Sequence, residues 1–136
     1  MRGIADTGFL VAFANRHDRY HEWALELASQ VTDPLLTCEA VLAEAAFHLR
    51  NVALVLAMVR EGLVTPELDV SEQLPRLAQL AIRYADRKPD LADLCLIRLS
   101  EIHPKHQVIT VDADDFRVYR RNRNETIPLI VPPDLR

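Results

Sequence analysis

The stretch VITVDADDFRVYRR, Val108 to Arg121, decides how this chain is read. Val108, Ile109 and Val111 are strand-forming residues, yet Asp112, Asp114 and Asp115 follow at once. Asp is a poor strand former, and carboxylates this close repel one another. They are either a solvated turn or part of a site that a cation stabilises. The segment DDFRVYRRNR after them has the look of a short helix, so the local order is strand, acid, helix.

The same order opens the chain. GIADTGFLVAFAN reads as a short strand ending at Asp6 that turns directly into a helix, and DRYHEWALELASQV continues with apolar residues at helical spacing. PLLT is a brief second strand. Thr37 then reads as the N-cap of CEAVLAEAAFHLR, and a long helix or helix pair runs on to Arg60. A third strand is expected near Leu68 to Val70, with Ser71 capping EQLPRLAQLAIRYADR and Pro75 making its first turn irregular. KPDLADLCLIRLSEI starts a helix with Pro89 at its first position and Asp90 in its first turn. TIPLIV is a last strand, stopped by Pro132 and Pro133. Strands alternating with helices predict a three-layer α/β domain around a mostly parallel sheet of about four to five short strands.

Composition narrows the class. The 136 residues, 49% of them hydrophobic, suit one domain spanning 1–136. No apolar run reaches the roughly 18 residues of a membrane span, and the first residues carry Asp6 too early for a signal peptide, so a cytoplasmic protein is expected. Cys38 and Cys95 stand apart in apolar helical patterns and read as buried reduced thiols, not as a disulfide or zinc site. The net charge of -4 argues at first against nucleic acid, but cations neutralising four acids would bring the balance to zero, so charge excludes no partner.

In open parallel sheets, functional groups gather beyond the carboxyl ends of the strands. Asp6 and Asp112 take such places. Alone, Asp6 reads as a helix cap. Glu39 and Glu44 share a helix but point roughly 140° apart. Glu39 suits the first turn, and Glu44, nearer the apolar side, is the better ligand candidate. Asp90 and Asp93 share a helix face. Asp93 sits where an apolar residue is expected, and a buried carboxylate needs a cation or donors. Asp115 either caps its helix or reaches the same place. Each acid alone has an ordinary explanation; together they predict a carboxylate cluster.

With these pieces in view, the sequence resembles the PIN-domain nucleases, in particular the VapC-type ribonuclease toxins of toxin-antitoxin pairs. The matching segments are IADTGFLVAF, LTCEAVLAEAAFHLR, KPDLADLCLIRLSE and VITVDADDFRVYRR, with NRHDRYHEWA after the first helix. Their order and spacing, over almost the whole chain, carry the likeness. It implies metal-ligating and catalytic roles for Asp6, Glu44, Asp93 and Asp112, with Asp115 and Asp90 accessory and Thr7 a neighbouring hydroxyl. It further implies RNA hydrolysis, a cognate antitoxin and a homodimer. Leu94 departs from the family, which often has a small residue after the third acid.

Oxygen ligands suit Mg2+ or Mn2+. Asp6 and Asp93 are expected to hold the principal ion, with Glu44 and Asp112 completing its surroundings. For RNA, Arg117, Arg120, Arg121 and Arg123 around Tyr119 form one basic segment; Arg16, His17 and Arg19 form a second. Arginines at a helix end also occur as a solvated face. His21 and His48 read as packing or surface residues. Two competitors remain: a PIN-like binding or dimerisation module without activity, and an Asp-dependent phosphatase or phosphotransferase. The latter usually wants a second Asp where Gly8 stands.

Overall fold

A computed structural model describes residues 1–136. Five parallel strands make the central sheet: β1 (Gly3–Ala5), β2 (Leu35–Thr37), β3 (Val64–Pro66), β4 (Gln107–Ile109) and β7 (Leu129–Ile130). Their order is β3-β2-β1-β4-β7. Seven helices flank it: α1 (Thr7–Ala14), α2 (His21–Ser29), α3 (Glu39–Leu49), α4 (Val52–Arg60), α5 (Val70–Arg83), α6 (Leu91–Ile102) and α7 (Ala113–Val118). This is the expected three-layer architecture.

The short strands read as unbroken apolar runs because both faces are covered. Ile4, Ala5, Val108 and Ile109 are fully buried, and Ile4 pairs with Leu36 on one side and Val108 on the other. Helix α6 lies against β1, β2 and β4. It buries Ala92, Leu94, Cys95, Leu96, Ile97, Leu99 and Ser100, so its pattern is apolar nearly all round. Leu94, the departure from the family pattern, is a core residue.

The third strand lies at Val64–Pro66, ahead of the expected Leu68 to Val70. Pro66 fits there because β3 is an edge strand, where a missing N–H costs no sheet hydrogen bond. Val70 instead opens α5, capped by Asp69, whose side chain accepts from the Ser71 and Glu72 amides, and Pro75 lies inside that helix. Thr37 ends β2 with its hydroxyl on the Ala5 carbonyl at 2.9 Å, leaving Cys38 at the cap of α3. Asp90, not a first-turn residue, is the cap of α6. An unexpected hairpin of β5 (Arg120–Arg121) and β6 (Glu125–Thr126) follows α7.

The order of strands fixes where a site can form. From β1 the chain crosses to β2 on one side, whereas β4, on the other side of β1, leads outward to β7. Connections that diverge in this way open a crevice beyond the carboxyl ends of the two strands. Asp6 follows β1 and Asp112 follows β4 at that crevice. Gly8 holds the two sides close: a Cβ there would lie 2.3 Å from Val111 Cγ2.

Candidate functional site

The crevice is a cavity of about 780 Å³, and its lining includes Asp6, Glu44, Asp90, Asp93, Asp112 and Asp115. All six acids singled out in the sequence therefore meet in one place. Five elements bring them: the ends of β1 and β4, the middle of α3, the start of α6 and the first turn of α7.

Asp6 is the most deeply placed, with 8% of its surface exposed. Its Oδ1 accepts the Thr7 amide at 2.7 Å, as a helix cap, and its Oδ2 accepts the Thr110 hydroxyl at 2.7 Å. The cap and the site are thus one residue. Burial pushes its pKa up to about 6 against the opposing pull of both hydrogen bonds. Asp93 is pushed up to about 7, first by burial and then by the negative charges of Asp90 and Asp6, while the Tyr119 hydroxyl, donating at 3.1 Å, pulls the other way. Glu44 accepts the Thr7 hydroxyl at 2.9 Å, and its pKa is raised by burial and by Asp90. Asp112 rises as well, through partial desolvation and then repulsion from Asp115.

Raised carboxylates in one crevice are what uncompensated negative charge produces. No ion pair of the chain involves Asp6, Glu44, Asp90, Asp93 or Asp112. Asp115 alone has a cation, Arg87, at 2.6 Å. The donor set is oxygen throughout and fits a hard divalent ion. The side chains ring the cavity, and no three of them converge at ligand distance. Mg2+ tolerates such spacing because it keeps several of its waters and needs only one or two direct carboxylates.

A family model described as PIN domain matches residues 4–122. The chain belongs to the PIN-domain family. PIN domains are generally nucleases, hydrolases of nucleic acids that typically use divalent metals such as Mg2+, and the matched span includes all six acids. No curated protein matches the chain. No helix of this PIN domain is long and apolar enough to cross a membrane.

The basic residues fall differently from the acids. Arg121 is buried and donates to the Ser100 carbonyl at 2.9 Å and its hydroxyl at 3.0 Å. It is a structural residue, which corrects its place among the RNA-binding candidates. Arg120 donates to the carbonyls of Arg117, Val118 and Tyr119, completing the end of α7. Arg117 is exposed, donates to the Leu135 carbonyl and lines a neighbouring hollow with Asp112. Arg16 is exposed beside His17. His21 lies with Nδ1 2.7 Å from the Ala12 carbonyl, a packing role as expected, whereas Asp18 and His48 line the cavity. Cys38 and Cys95 are both free and buried.

Three residues of the site escaped the sequence reading: Thr110, Tyr119 as a partner of Asp93, and Lys88. A hydroxyl inside the apolar run VITV was a usable sign for Thr110. Tyr119 gave none, because its pairing with Asp93 depends on how the chain after α7 returns to α6.

Proposed function

We propose that this PIN domain is an Mg2+- or Mn2+-dependent endoribonuclease and the toxin of a toxin-antitoxin pair. The observation that carries the reading is the single crevice in which Asp6, Glu44, Asp93 and Asp112 meet without cationic partners. In this proposal those four hold the metal, Asp6 and Asp93 chiefly, and Asp90 and Asp115 assist. A bound hard cation supplies a water of lowered pKa and stabilises charge on a phosphodiester. The chain's own part is positional. Thr110 and Thr7 fix the two Asp6 oxygens, Thr7 also fixes Glu44, and Tyr119 fixes Asp93, so the carboxylates are oriented before RNA arrives.

Exposed apolar side chains support protein partners. Phe47, Val52 and Leu56 on and beside α4 are 78%, 63% and 60% exposed, and Ile82 on α5 is 79% exposed. These surfaces suit an antitoxin and a second copy of the chain.

The test is cleavage of a complex RNA pool by purified, partner-free protein, with Mg2+ or with EDTA, beside the Asp93→Asn variant. Metal-dependent cuts leaving 5′-phosphate and 3′-hydroxyl ends, absent from the variant, are expected. Cleavage that persists in Asp93→Asn overturns the assignment; a folded wild type that cuts nothing favours a binding module.

A further inference from the structure

We infer that Lys88 takes a backbone phosphate of the RNA at the mouth of the carboxylate cavity. The inference rests on the nuclease reading and names a residue that reading leaves without a part.

A polyanion entering a crevice lined by seven carboxylates, Asp18 included, meets a repulsive field. The permanently charged cations along the lining are Arg19 and Lys88. Arg19 is engaged by Asp134 at 2.6 Å. Arg87, next in sequence to Lys88, is engaged by Asp115 at 2.6 Å. Lys88 forms no ion pair and no side-chain hydrogen bond, and it is exposed. Arg117 and Arg120 are turned to backbone carbonyls, Arg121 is buried, and Arg123 is not part of the lining, so the free positive charge at this opening belongs to Lys88.

Its backbone sets it apart too. Lys88 has φ 50° and ψ 54°, the left-handed region, although Pro89 follows it. A residue before proline prefers extended geometry, and a non-glycine residue in the left-handed region is strained. Glycine or asparagine would relieve that strain, yet a long cation occupies the position. The 3-10 turn Ala85–Arg87 on one side, closed by the Lys88 amide on the Ala85 carbonyl at 3.2 Å, and the Asp90 cap of α6 on the other hold it there. The turn thus holds an exposed lysine on the lining that Asp90 and Asp93 share.

The experiment measures binding, not cleavage. A labelled, mixed-sequence single-stranded RNA of about 20 nucleotides is titrated in Mg2+ with Asp93→Asn protein, which keeps Lys88. The same titration follows for Lys88→Met, Lys88→Gly and Lys88→Arg made in that background, each across a salt series. One lost phosphate contact on a single strand lowers the slope of log K against log salt by about 0.7, or about fivefold weaker binding at about 0.1 M salt. That loss is expected for Met and for Gly, where the backbone is relaxed, with Arg close to the parent. An unchanged affinity and slope in Lys88→Met and Lys88→Gly overturns the inference and leaves the nuclease reading standing. No binding by the Lys88-bearing parent also overturns the inference, while the nuclease reading stands or falls by wild-type cleavage.

Discussion

The Thr110 hydroxyl donates to Asp6 Oδ2 at 2.7 Å, and the Thr110 Oγ1 itself accepts the Asp112 amide at 2.9 Å. One side chain at the end of β4 thus ties the acid after β1 to the acid after β4. Thr110→Val keeps the shape and removes both bonds. Hydrogen bonds to charged groups contribute about 1.5–3 kcal/mol, so the variant should lose that much stability at about pH 8, where Asp6 is ionised, and less at about pH 4.5, where it is protonated. Urea unfolding in EDTA at the two pH values checks this. Equal losses at both would show that Thr110 acts by packing alone.

The acids also set a pH dependence. Asp6 and Asp93 have folded pKa values near 6 and 7, above the ordinary 3.8. A carboxyl whose pKa is raised by folding leaves stability intact below the unfolded value and weakens the fold as pH rises through the folded one. Metal-free protein should therefore lose stability between about pH 4 and 7, and Asp93→Asn should flatten part of that loss. At about pH 8 the variant should be the more stable by on the order of 1 kcal/mol, a figure held down because Asp93 is partly solvated. Thermal melts of both proteins across this range in EDTA decide the matter; parallel curves would mean that Asp93 is not strained by its neighbours.

Tyr119→Phe separates orientation from packing. The ring lies against Tyr84 and Phe116, with centroids 5.0 and 5.4 Å away, and phenylalanine keeps those contacts. Only the donor to Asp93 goes. The variant should fold normally and bind Mn2+ about fivefold more weakly, the worth of roughly 1 kcal/mol. Unchanged Mn2+ affinity would leave the Tyr119 hydroxyl without a role at the site.

Much of this was legible in the chain, for identifiable reasons. Asp6 and Asp112 were found because an acid at the end of an apolar strand is anomalous locally. Asp93 was found because it interrupts the apolar pattern of α6. The basic segment was misjudged at Arg121, because a run of arginines looks alike in sequence whether a guanidinium meets water or the Ser100 carbonyl. Boundaries near Pro66 and Pro89 slipped because proline is compatible with an edge strand, a turn and a helix start alike. Lys88 was invisible, since its distinction lies in a backbone angle and in the pairing of its neighbours.

Arg121→Met tests that correction. Loss of the bonds to Ser100 leaves a buried carbonyl short of a partner, so the variant should be destabilised by about 1–3 kcal/mol in urea unfolding. Its RNA affinity, measured where both proteins are folded, should not change. A selective loss of RNA binding would return Arg121 to the surface set.

Titration of Mn2+ into EDTA-stripped protein, followed through the signal of free Mn2+, tests most directly whether the acids act as one cation site. Saturable binding to the wild type, displaced by Mg2+ and weakened at least about tenfold in Asp6→Asn and in Asp93→Asn with the far-ultraviolet spectrum unchanged, is the predicted result. Binding of equal strength in the variants, or none by the wild type at millimolar Mn2+, would contradict it.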